Sequence, residues 1–192
     1  MLKDISWIFI SAAVVNNFTL TLFLGLCSFL GVTGKVSTSL RMGAADTFVL
    51  VLTSAAAWAL NSYVLPHAPY LRIIAFIVVI AALVQIVEMF VKKVSPTLFR
   101  ELGIYLPLIT TNCAILGLPL FQTNRGYGFA QGIAFALGAG VGMTLALTLM
   151  GSIRERVELS DSPTFARSMG IVLIIASCIS LAFMGFGGLG QS

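Results

Sequence analysis

Six apolar runs, each close to the length of a membrane-crossing helix, follow one another down this 192-residue chain. They cover roughly 5–26, 42–65, 71–91, 103–121, 129–151 and 169–188. At 1.5 Å rise per residue, about 20 apolar residues cross the hydrocarbon of a bilayer. A soluble core does not compete. The chain is 58% hydrophobic and 9% charged, against about 25% charged in a soluble domain, so it lacks the polar side chains to cover a water-facing surface. The first run has no Ala-x-Ala exit and carries Asn16 and Asn17 in mid-run. It is expected to be the first span and not a cleaved signal. The sequence predicts an all-α integral membrane protein of six transmembrane helices, a single polytopic domain over 1–192.

The distribution of charge sets the orientation. Of the 11 basic residues, Lys35, Arg41, Lys92, Lys93, Arg100, Arg154, Arg156 and Arg167 fall after spans 1, 3 and 5. Only Lys3, Arg72 and Arg125 fall on the other side. Basic loops stay in the cytoplasm, so loops 1, 3 and 5 are expected there and both termini outside. The connections are short and carry the punctuation: Gly31–Lys35, Pro66-His67-Ala68-Pro69, Ser95-Pro96 and Asp161-Ser162-Pro163. The last reads as a helix start with proline in the first turn.

An internal repeat is visible. Leu24-Gly25-Leu26-Cys27-Ser28-Phe29 resembles Leu116-Gly117-Leu118-Pro119-Leu120-Phe121, and each follows an asparagine-bearing motif. With three spans per half, about 1–94 and 95–192, the second half crosses the membrane in the opposite sense. In such inverted-topology repeats, interrupted helices near the midplane often build the site.

Polar groups inside such a bundle are costly unless partnered, so they mark the candidate chemistry. Asn16, Asn17 and Asn112 either bond between helices or cap broken ones; Gly103, Pro107 and Gly117 could break the fourth span. Cys27 and Cys113 are either small buried hydrophobes or soft-metal ligands. The chain has three cysteines and no C-x-x-C pair, so a cluster would need ligands from a second chain. Cys178 reads as packing. Asp46 and Glu88 either pair with Arg41 and Lys92 at the interface or, with Gln85, mark a cation entry path. Ile153–Glu158 reads as a solvated helix end or a docking surface. Gly128/Gly132 and Gly138/Gly142 permit close helix approach. His67, the only histidine, reads as a loop residue. No phosphate loop, H-E-x-x-H, nucleophile–base set or nucleic-acid surface is present, and the parts for binding nicotinamide or flavin are missing.

Val15-Asn16-Asn17-Phe18, Phe23–Cys27, Val84–Met89, the long run Leu102–Cys113, Gly151–Arg156 and Leu181–Phe186 together resemble the A subunits of Rnf electron-transport complexes. The resemblance covers almost the whole chain. The related E subunits of the sodium-translocating NADH:quinone reductase are similar, but the Val15-Asn16-Asn17 and Thr110-Thr111-Asn112-Cys113 forms favour Rnf. Ser28 stands where many members carry proline. The resemblance implies six helices in two inverted-topology three-helix repeats, with helices 1 and 4 broken. It implies that Cys27 and Cys113 give two ligands to a 2Fe-2S cluster shared with a homologous membrane protein of opposite orientation, the E subunit. Asn16, Asn17 and Asn112 would then orient the ligand turns. It further implies a bacterial inner-membrane complex whose other subunits carry flavin and iron-sulfur centres. That complex would move electrons between ferredoxin and NAD, coupled to sodium or proton movement. A non-redox inverted-repeat carrier and a structural anchor for redox subunits are the alternatives from other classes.

Overall fold

The computed structural model describes residues 2–63, 69–94, 108–109, 111–159 and 169–187. Within them the chain is helical, with no strand. Its helices are α1 (Leu2–Ile10), α2 (Leu26–Val32), α3 (Val36–Tyr63), α4 (Arg72–Val94), α5 (Cys113–Asn124), α6 (Phe129–Leu159) and α7 (Met169–Gly187). A π-helical turn at Ser11–Val15 extends α1, and a 3-10 turn at Pro69–Leu71 leads into α4. Three described helices are long and apolar enough to cross a membrane: α3, Arg72–Phe90 of α4, and α6. Ile5–Val15 and Gly170–Gly185 are shorter apolar helices.

The first expected span, 5–26, is broken. α1 runs through the π turn, closed by Asn16 N–H donating to Ser11 O at 2.7 Å. Non-helical chain follows until Leu26. Of the expected fourth span, residues 103–107 and 110 lie outside the described residues, and the rest comprises 108–109, the non-helical 111–112 and the first part of α5. Two spans are longer than the apolar pattern indicates. α3 begins at Val36 rather than 42, because Val36 N–H donates to Glu155 Oε2 at 3.4 Å; a carboxylate there also favours the positive end of the helix. α6 continues through Ile153–Glu158 instead of stopping at 151. The connections at 64–68 and 95–107, with His67, and the helix start expected at 161–163 lie outside the described residues.

α3 and α6 form the centre and pack on each other more extensively than any other pair. Their contact is reciprocal. Added to Gly43, a Cβ would meet Thr144 Oγ1 at 2.5 Å, and one on Gly140 would meet Thr47 Cγ2 at 2.6 Å. Each threonine is turned back onto its own helix: Thr47 Oγ1 donates to Gly43 O at 2.7 Å and Thr144 Oγ1 to Gly140 O at 2.8 Å. Small residues that let backbones approach are what hold helices together in lipid, where apolar burial drives no association. Gly138 and Gly142, expected from their spacing to allow close approach, do so against α1 and its π turn: their Cβ positions lie 2.6 Å from Phe9 O and 2.6 Å from Ala13 O. Gly128 of the other pair has only Gln131 Oε1 in ordinary contact, at 4.0 Å from its Cβ position, and only Gly132 is tight, against Gln122.

Candidate functional site

The two interruptions meet. In the first, Asn17 is completely buried and serves as its hub. Its Oδ1 accepts from Thr19 N at 3.1 Å and Leu20 N at 3.4 Å. Its Nδ2 donates to Gly142 O of α6 at 2.7 Å and Ala13 O at 3.3 Å. The side chain thus replaces the backbone partners that the break removes, as non-helical chain at membrane depth requires. Asn16 acts locally, donating to Ser11 Oγ at 3.1 Å. Phe18 anchors the segment edge-on against Phe121 of α5 and Phe135 of α6, with centroids at 5.6 and 5.7 Å. Ser180 of α7 donates to Leu20 O at 2.5 Å. Phe23 (φ 55) and Gly25 (φ 80) turn the chain into α2.

At the second interruption Asn112 is the N-cap of α5, its Oδ1 accepting from Ala114 N at 3.0 Å. Capping of this kind satisfies one of the orphan amides of a helix start. Its Nδ2 donates to Ser28 Oγ on α2 at 3.3 Å, and Ser28 Oγ donates to Leu108 O at 3.3 Å. A third link crosses the junction: Gly25 N–H donates to Cys113 Sγ at 2.9 Å. The start of α2 and the start of α5 are therefore tied by side chains of Asn112, Ser28 and Cys113. Cys27 lies two residues beyond the amide that holds Cys113. Cys27 is half-buried and Cys113 exposed.

Pairing alone does not make a metal site. Among the described residues no three His, Cys, Asp or Glu side chains gather where they could hold a metal ion. The 2Fe-2S cluster that the resemblance implies on Cys27 and Cys113 is corrected by this finding. Such a cluster takes four ligands, and the described residues bring no third ligand to the two thiols of the junction. Cys178, expected to pack, is exposed on α7.

The three ion-path candidates have different surroundings. Asp46 is completely buried on α3, ten residues inside the helix, about 15 Å from its start. Its carboxylate lies beside the Asn112 side chain, yet neither oxygen has a hydrogen-bond partner. No hydrogen bond from Arg41 therefore reaches it. On α4, Glu88 is half-buried and Gln85 exposed.

Several residues that build the site have roles that the sequence does not indicate. Gly25 is required by its positive φ and by space, since its Cβ would sit 2.9 Å from Met143 Cε and 3.2 Å from Asn112 Oδ1. Ser28, notable in the sequence only as a departure from proline, bridges the two breaks. Arg154, in the stretch that reads as a solvated helix end, donates to Leu30 O at 3.2 Å and Thr33 Oγ1 at 3.0 Å, closing the carbonyl end of α2 where a cation is favoured.

Known proteins match this chain along its length. Residues 5–190 match the family described as Rnf-Nqr subunit, membrane protein. A protein of Syntrophotalea carbinolica, named as the A subunit of an ion-translocating oxidoreductase complex, is 54% identical over 190 residues, covering 98% of each chain. Proteins of the same name from Sodalis glossinidius (50% over 184 residues, 95% of each chain) and Shigella flexneri (48% over 190 residues, 98% of each chain) are similar throughout. These names agree with the resemblance carried by the motifs around Asn16, Cys27 and Cys113. The chain belongs to the Rnf-Nqr family of membrane subunits.

Proposed function

We propose that this chain is a membrane subunit of an Rnf-type ion-translocating oxidoreductase of the bacterial inner membrane, working between ferredoxin and NAD. It acts there in assembly with the homologous E subunit of opposite orientation and with subunits carrying flavin and iron-sulfur centres. Both termini are periplasmic, and the loops after spans 1, 3 and 5 are cytoplasmic. Two inverted three-helix halves, about 1–94 and 95–192, give six crossings; the reciprocal Gly43–Thr144 and Gly140–Thr47 contacts between α3 and α6 support that symmetry.

The functional centre is the junction of the two breaks, with Cys27 and Cys113 as its thiols and Asn16, Asn17 and Asn112 as its positioning residues. The observation that carries this reading is the Gly25 N–H···Sγ Cys113 bond, which joins turns 88 residues apart in sequence. It fixes two polar turns where an interrupted helix brings backbone dipoles and soft sulfur into an apolar layer. The chain's own contribution is to hold that polar junction rigid between partner redox centres and to couple it to ion movement.

The test replaces Cys27 and Cys113 by serine, one at a time, in the assembled complex. Ferredoxin–NAD electron transfer and electron-driven ion uptake into vesicles are then measured beside subunit content. The expected result is normal assembly with both activities reduced in each variant. Full coupled activity in both variants overturns the proposal.

A further inference from the structure

The buried face of α3 repeats a polar residue at every seventh position: Ser39, Asp46 and Thr53, each completely buried. A seven-residue step keeps one helix face, so the three hydroxyl and carboxyl groups line up. They extend over about 21 Å of a hydrocarbon layer roughly 30 Å thick. At one end Ser39 lies against α6, its Oγ 2.8 Å from where a Cβ of Gly151 would be. At the other, Ser54 beside Thr53 donates to Gln122 Oε1 of α5 at 2.9 Å.

If these groups only tied helices together, their polar atoms would be paired. Ser39 is: its Oγ donates to Lys35 O at 3.0 Å, and Ser54, beside the row, is bonded to Gln122. Asp46 and Thr53 are not. Both oxygens of Asp46 and the Thr53 hydroxyl have no partner. Leaving a buried carboxylate unpartnered in an apolar bundle is among the least favourable arrangements available to a side chain. It is tolerated where a positive ion neutralises it, and intramembrane carboxylates facing a bundle interior mark ion routes.

We infer that the Ser39–Asp46–Thr53 face of α3 is a path for a small monovalent cation, with Asp46 as its central binding group. Sodium and the proton share the chemistry this path selects: a single positive charge, hard enough to prefer carboxylate and hydroxyl oxygen. Asp46 lies beside Asn112, the cap of the helix that begins with Cys113, so a cation at Asp46 would sit against the junction of the two breaks. The inference rests on the reading of the chain as a subunit of an ion-translocating complex.

The experiment uses the whole complex in proteoliposomes, with Asp46→Asn and Thr53→Val beside the wild type. Electron-driven entry is read with radioactive sodium in one arm and an internal pH dye in the other, which distinguishes the two ions. Thermal stability of each purified complex is measured in parallel. The expected result is that cation entry is lost in Asp46→Asn and slowed in Thr53→Val, at wild-type or higher stability. Entry at the wild-type rate in Asp46→Asn overturns the path, as does a loss that only follows a fall in stability. If Asp46→Asn does not assemble, Thr53→Val decides by the same two criteria. Wild-type vesicles that move no cation on electron transfer remove the proposed function and this inference together; wild-type entry matched by Asp46→Asn removes the inference alone.

Discussion

Gly25→Ala is the most informative single change at the junction, because the structure separates its two costs. Gly25 has φ 80, and an L side chain in the left-handed region costs roughly 1–2 kcal/mol. Its Cβ would also meet Met143 Cε at 2.9 Å and Asn112 Oδ1 at 3.2 Å. The methionine end is flexible and can move aside. The asparagine oxygen cannot move without giving up the Ala114 amide it caps, so about 1–2 kcal/mol is added, from the range for overpacking and lost caps. The total is about 2–4 kcal/mol. Gly126→Ala supplies the control: Gly126 has φ 64, with nothing within 4 Å of its Cβ, so it carries only the backbone cost, about 1–2 kcal/mol. Gly34→Ala, with open space and no positive φ, is expected to be near neutral. The assay is reversible unfolding of the detergent-solubilised protein in mixed micelles, followed by tryptophan fluorescence. If Gly25→Ala costs no more than Gly126→Ala, the close approach of Gly25 to Asn112 is refuted.

Other changes test the surroundings of the junction. Asn112→Ala removes the α5 cap and leaves Ser28 without its donor, so a loss of about 1–2 kcal/mol is expected in the same unfolding assay. Gly140→Val forces a branched side chain into Thr47 and should cost about 3 kcal/mol or prevent assembly; a Thr47→Ala change in the same chain should restore part of it, read as protein yield in membranes. Asp46→Asn removes an unpartnered buried charge and is expected to leave stability unchanged or raise it by about 1 kcal/mol, whereas an ion-paired carboxylate would lose stability. Arg154→Met frees Leu30 O and Thr33 Oγ1 and should lower stability by about 1 kcal/mol, with faster proteolysis near residues 30–36.

Hydropathy shows where the apolar runs lie but not where their helices end, because the ends are set by side chains from elsewhere. α3 starts at Val36 since Glu155 meets its first amide, and α6 runs on to Leu159 through residues that reach back to α2 and α3. Such contacts between positions more than 100 apart leave no local pattern. The asparagines are legible because an amide in an apolar run must find partners, and Asn17 and Asn112 do. That Cys27 and Cys113 act together is implied by the family resemblance; spacing alone leaves it open, and the structure brings Gly25, two residues before Cys27, onto Cys113. The same resemblance implies a cluster that the described residues at the junction do not form. Asp46 reads as interfacial in the sequence because the early start of α3 is hidden there, and with it the heptad of Ser39, Asp46 and Thr53.

The meeting of the two breaks is most directly tested by bridging their thiols. In a Cys178→Ser chain within native membranes, a short bifunctional thiol reagent is applied and the digested protein is analysed by mass spectrometry. The expected product joins the peptide containing Cys27 to the one containing Cys113 within a single chain. If both cysteines react singly with a monofunctional reagent of the same size and no such bridge forms, the two turns do not meet and the site described above does not exist.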